Sequence, residues 1–106
     1  MANITFTGES GKKYSFAIYP MTTLFKQEGG VYFITRRHTD ETNKVTHKHI
    51  FVGQTDNLAR ELDKADNQYV RRYKANCICI HLESDRKTRL KIESDLVGNY
   101  NPPCNQ

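Results

Sequence analysis

Apolar and polar positions alternate over residues 2–19. Ile4 and Phe6 fall on one face of a first strand, and Tyr14, Phe16 and Ile18 on one face of a second. Gly8-Glu9-Ser10-Gly11 between them supplies turn chemistry, so the pattern predicts a hairpin that Pro20 ends. Such a hairpin can extend a main sheet, cover an edge or present a strand to a partner. Residues 21–28 suggest one short helical turn. After the Gly29-Gly30 break comes Val31-Tyr32-Phe33-Ile34-Thr35-Arg36-Arg37, β-branched and aromatic. A second alternating run, His47 to Val52, closes on Gly53. The two predict an antiparallel hairpin, with Arg37 to Thr46 as a solvated loop or an extended tip. Period two places Tyr32, Ile34 and Arg36 on one face and Val31 and Phe33 on the other. It likewise groups His47, His49 and Phe51 on one face and Ile50 and Val52 on the other.

The period then changes to that of a helix. Thr55 or Asp56 can cap a segment reaching about Ala65, with Leu58, Leu62 and Ala65 as its buried stripe. Glu61 lies at the edge of that stripe and Arg60 on the far side. A second helical piece, Asn67 to Lys74, interleaves Tyr69, Val70 and Tyr73 with Arg71, Arg72 and Lys74. That mixture suits flexible nucleic acid, and equally an ordinary helix with snorkelling cations. Cys77-Ile78-Cys79-Ile80-His81-Leu82 is apolar on both faces and predicts a central strand. A last helix begins at a Ser84 or Asp85 cap, buries Leu90, Leu96, Val97 and Tyr100, and stops at Gly98. Glu93 falls on that apolar stripe. A carboxylate among core positions is costly unless a cation meets it, which singles Glu93 out as a functional residue.

Composition narrows the picture modestly. The 106 residues make one domain, with sixteen Lys+Arg against twelve Asp+Glu and a net charge of +4. That balance permits a polyanionic partner without requiring one. No apolar run is long enough to span a membrane and no leader pattern opens the chain, so the expected location is the cytoplasm. Three cysteines argue for reduced thiols. Cys77 and Cys79, with His81 and a possible approach by Cys104, lack the C-x₂₋₄-C spacing of structural zinc sites.

Gly30-Val31-Tyr32, Phe51-Val52-Gly53-Gln54-Thr55 and Asn57-Leu58, followed by Glu93 and the closing Pro102-Pro103-Cys104-Asn105, resemble the GIY-YIG nuclease signature. The resemblance covers residues 30–105. It implies an α+β domain in which a central three-stranded antiparallel sheet is flanked by helices. Residues 30–106 would form that core, and residues 1–29 would be a hairpin added to it. It implies phosphodiester cleavage with Mg²⁺ held by Glu93, water positioned by Tyr32, and Asn105 holding the arrangement, with DNA as the partner. It also implies that Tyr32, Phe51, Glu61 and Glu93 converge on one cleft.

Two positions depart from the family. Phe51 stands where the second triplet has a tyrosine and cannot relay a proton. Glu61 stands where the family has an arginine, and Arg60 is one residue, or about 100°, away. Arg60 in an altered orientation, or His49 as a replacement base, would be needed to restore activity. Three readings follow: a nucleic-acid-binding domain with weakened or lost hydrolysis, an active endonuclease, and a non-catalytic protein-interaction module. The oligomeric state is not legible in the sequence.

Overall fold

The computed structural model describes residues 2–106, without the side chains of residues 63–70. The strands are β1 (Asn3–Thr7), β2 (Lys13–Pro20), β3 (Gly30–Thr39), β4 (Val45–Thr55) and β5 (Cys77–Leu82). The helices are α1 (Leu58–Tyr73) and α2 (Arg86–Tyr100), followed by a 3₁₀ turn at Pro103–Asn105. All five strands form one antiparallel sheet in the order β1-β2-β5-β3-β4. This overturns the expected three-stranded sheet flanked by helices, with a hairpin added on. The N-terminal hairpin is part of the sheet: β2 pairs with β5 from Ala17↔Ile80 to Pro20↔Cys77. The reason lies in β5, whose Ile78 and Ile80 are buried on one face and Cys77 and Cys79 on the other. A strand apolar on both faces needs a neighbour on each side, and β3 supplies only one.

The sheet curls into a half-barrel. In a flat sheet, four strand spacings of about 4.8 Å would hold β1 and β4 about 19 Å apart. Instead the rings of Phe6 on β1 and His49 on β4 have centroids 5.8 Å apart. The curl wraps α2. Phe6, Phe16, Val31, Phe33, Val52 and Cys79 enclose its Ile92 and Leu96 in one apolar cluster. On the opposite face Tyr32, Ile34, Ile50, Ile78 and Ile80 pack with Leu58 and Leu62 of α1.

A β-bulge accounts for a misassigned face. Ile34 pairs with Phe51 but Thr35 pairs with His49, leaving Ile50 as the extra residue. Ile50 and Phe51 therefore both join the α1 face, while Val52 and His49 turn to the α2 side. The expected grouping of His49 with Phe51 does not hold.

Helix boundaries also shift. Thr55 ends β4, and the Asn57 side chain caps α1 by accepting from the Arg60 N–H at 3.1 Å. α1 runs as one helix to Tyr73 rather than as two pieces. The expectations placed on Ala65, Tyr69 and Val70 lie outside the described residues. Asp85 caps α2, accepting from the Thr88 N–H at 3.0 Å and hydroxyl at 2.6 Å. α2 passes through Gly98 and ends where Asn101 adopts φ 43°. Its inner stripe is Arg89, Ile92 and Leu96, not one centred on Leu90, which is 40% exposed. Residues 21–28 form no helix. Among the described residues no helix is long and apolar enough to cross a membrane.

Candidate functional site

Tyr32 lies across β4 because Gly53, its cross-strand partner, has no side chain. A Cβ built on Gly53 would stand 2.4 Å from the Tyr32 hydroxyl. Tyr32 is only 3% exposed, stacks obliquely on Phe51 at 5.9 Å, and donates from its hydroxyl to Glu61 Oε1 at 3.5 Å. Tyr32, Phe51 and Glu61 thus gather on the α1 face, but of the four residues expected to converge on one cleft, Glu93 among them, only Glu61 lines the polar cleft there.

Glu61 opens into a polar cleft of about 320 Å³ between the N-terminal turns of α1 and α2. The cleft is lined by Gln54, Thr55, Asp56, Arg60, Glu61, Arg86 and Arg89. Arg60 reaches the same cleft as its neighbour Glu61 and pairs with Asp56 at 3.5 Å. Three arginines against two carboxylates leave the cleft net positive.

Arg89 is the residue that sequence reasoning missed. It is 4% exposed, yet charged. Its Nε donates to Gln54 Oε1 at 3.0 Å, and its Nη1 donates to the carbonyls of Glu83 at 3.0 Å and Ser84 at 2.8 Å. The guanidinium thereby bridges β4, the segment after β5 and α2. Gly29 makes room for it: a Cβ there would meet Arg89 Nη1 at 2.7 Å. The signal was available, since Arg89, Ile92 and Leu96 follow helical spacing once Ile92 is counted.

Glu93 comes from α2, one turn beyond Arg89, and reaches the free edge of β4. Both backbone groups of Val52 on that edge are taken by Asn105, whose Oδ1 accepts from Val52 N and whose Nδ2 donates to Val52 O, each at 2.8 Å. Gln54 has the same parity, so its N–H points to the same edge, where it faces the Glu93 carboxylate. Partial burial raises the Glu93 pKa above the ordinary carboxylate value, and the Gln54 N–H opposes that rise. Glu93 and Asn105 both cover the β4 edge, beside the cleft. Neither is among the residues that line it.

His49 sits on the α2 side, its ring 4.3 Å from Tyr100 and 5.2 Å from Phe33. Burial, and then His47, lower its pKa. It is on the opposite face from Tyr32 and Phe51, so it does not stand in for the missing hydroxyl. The cysteines do not converge either. Cys79 is in the α2-side cluster, its thiol pushed up to about 12 mainly by burial, whereas Cys104 packs on the α1-side cluster.

Mg²⁺ takes one or two carboxylates, water and substrate phosphates, and asks for anionic oxygen that is free to bind. Glu93 offers one carboxylate, engaged by a backbone N–H and disfavoured as an anion by burial. Among the described residues no three His, Cys, Asp or Glu side chains gather as a metal centre. This donor set does not fit a preformed Mg²⁺ site. Set against known proteins, the chain matches no family model, no curated protein and no solved structure.

Proposed function

We propose that this chain binds nucleic acid through the arginine-lined cleft and that its GIY-YIG-like signature carries weakened or no phosphodiester hydrolysis. The observation that supports this is the cleft itself. Arg60, Arg86 and Arg89 share one concave, net positive wall beside Tyr32, which suits a phosphate backbone. The chemistry that hydrolysis would need is dispersed. Phe51 has no hydroxyl, His49 is on the other face, and an acid, Glu61, stands where the resemblance would put the cation that meets charge on the phosphoryl oxygens.

The test pairs binding with cleavage. DNA and RNA strands should bind with an affinity that falls with salt and is indifferent to Mg²⁺. Nicking of branched or linear DNA should be weak or absent, and the double change Phe51→Tyr with Glu61→Arg should raise it. A second reading, an active endonuclease, draws on Arg60 reaching the cleft despite its offset from Glu61. Robust nicking that Glu93→Ala abolishes would establish that reading instead. Neither binding nor nicking would leave the chain as a protein-interaction module.

A further inference from the structure

We propose that the cleft selects ribose over deoxyribose, with Glu61 accepting the 2′-hydroxyl of the nucleotide whose phosphate rests on the arginines. The proposal rests on the nucleic-acid reading above and names the strand that the cleft takes. It starts from the mismatch that made Glu61 look like a defect. Glu61 is an exposed carboxylate on the wall that also carries Arg60, Arg86 and Arg89. An ionised carboxylate only accepts hydrogen bonds and has about four lone-pair positions. Among the described residues that carboxylate accepts one long bond, from Tyr32 at 3.5 Å, which leaves most of that capacity unused.

A DNA backbone offers this group nothing. Its phosphate repels the carboxylate, and its sugar carries no donor. An RNA backbone carries a hydroxyl donor on the same sugar as the phosphate, a few bonds away, so one nucleotide presents an anion and a donor together. The cleft presents the complement, cations and an acceptor. Its volume, about 320 Å³, is at the lower end of the roughly 300–1,000 Å³ of ligand pockets and suits one nucleotide rather than a duplex. The rigid member is Arg89. Its guanidinium is fixed by Gln54, Glu83 and Ser84 before any ligand arrives, so the phosphate position is preorganised relative to Glu61. Arg86 is exposed at the same wall and supplies a second cation. The 2′-hydroxyl is the group by which proteins tell RNA from DNA.

The experiment uses the full chain and fluorescence anisotropy with single strands of one sequence, as RNA, DNA and 2′-O-methyl RNA, at several salt concentrations without divalent metal. RNA should bind about tenfold more tightly than DNA, the scale of one hydrogen bond to a charged group. The 2′-O-methyl strand, which has lost the donor, should fall to the DNA level. Glu61→Ala should bring RNA and DNA to equal affinity, and Arg86→Gln should weaken both by a similar factor and flatten the salt dependence. Equal, salt-dependent binding of RNA and DNA by the wild type would overturn the ribose proposal while leaving the binding function standing. A preference that survives Glu61→Ala would overturn it as well. Failure to bind any strand would remove both.

Discussion

At the scale of single residues, much depends on where a side chain is absent. Gly53 lets the Tyr32 ring lie against the β4 backbone, and the ring in turn brings its hydroxyl to Glu61. Gly53→Ala should force Tyr32 off its seat and destabilise the fold by about 1–3 kcal/mol, the usual cost of overpacking. Chemical denaturation reads the loss. A shift in tyrosine fluorescence should accompany it, and unchanged stability would mean that the ring has another place to go. Arg89 makes the complementary point. A buried cation is tolerated only with partners for its donors, and here one amide and two carbonyls engage three of its five N–H groups, leaving Nη2 toward the cleft. Glu93 was the position that hydrophobic patterning singled out. The structure places it partly buried at the edge of β4 and puts Arg89, one turn earlier, in the more deeply buried position.

At the scale of elements, β4 shows how an exposed strand edge is closed without another strand. The Asn105 amide bonds both backbone groups of Val52, as a paired strand residue would. Asn105→Ala should cost about 1–3 kcal/mol. Asn105→Asp should cost more at neutral pH, because a carboxylate would face the Val52 carbonyl, and the gap should narrow in acid as the carboxyl protonates. Thermal melts at two pH values would check the order. The histidines of β4 give a second pH effect. Burial lowers the pKa of both His47 and His49, with Arg37 adding to the first and His47 to the second. A base whose folded pKa lies below its unfolded value of about 6.5 stabilises the fold fully above that pH and progressively less as pH falls through it. Stability should therefore drop below about pH 6.5, and the double variant His47→Gln with His49→Gln should flatten that slope in denaturant titrations.

The same strand shows what was legible in advance. The β3 and β4 segments, the central β5 and the helical character of α1 and α2 follow from hydrophobic period and spacing, whereas the gathering of Tyr32, Phe51 and Glu61 is implied only by the GIY-YIG resemblance, which places Glu93 with them. The bulge at Ile50 does not, because one unpaired residue changes no composition and leaves alternation intact on either side of it. It moves His49 to the other face and removes a candidate base. The α2 stripe slipped by one position because Leu90 is a more obvious core residue than Arg89, whose burial depends on three acceptors from two separate segments.

For the whole molecule, the N-terminal hairpin is structural. Its tip is clasped by Asp95 of α2, which accepts from Ser10 N at 2.8 Å, Ser10 Oγ at 2.6 Å and Tyr14 Oη at 2.7 Å. Asp95→Ala should lower the melting temperature and speed amide exchange across the 8–14 turn. Removing residues 1–20 should do more than shorten the protein, since it uncovers one side of β5 and part of the aromatic cluster around α2. Loss of a cooperative melt, or aggregation in size-exclusion chromatography, is expected. A truncated chain that melts sharply would show that the hairpin is dispensable. The pairing of β2 with β5 also has a consequence for biosynthesis. A ribosome delivers residues 13–20 long before 77–82, so the early hairpin waits with one side unmatched while nearly sixty further residues are made. The middle of the sheet is the last part that the nascent polypeptide can close.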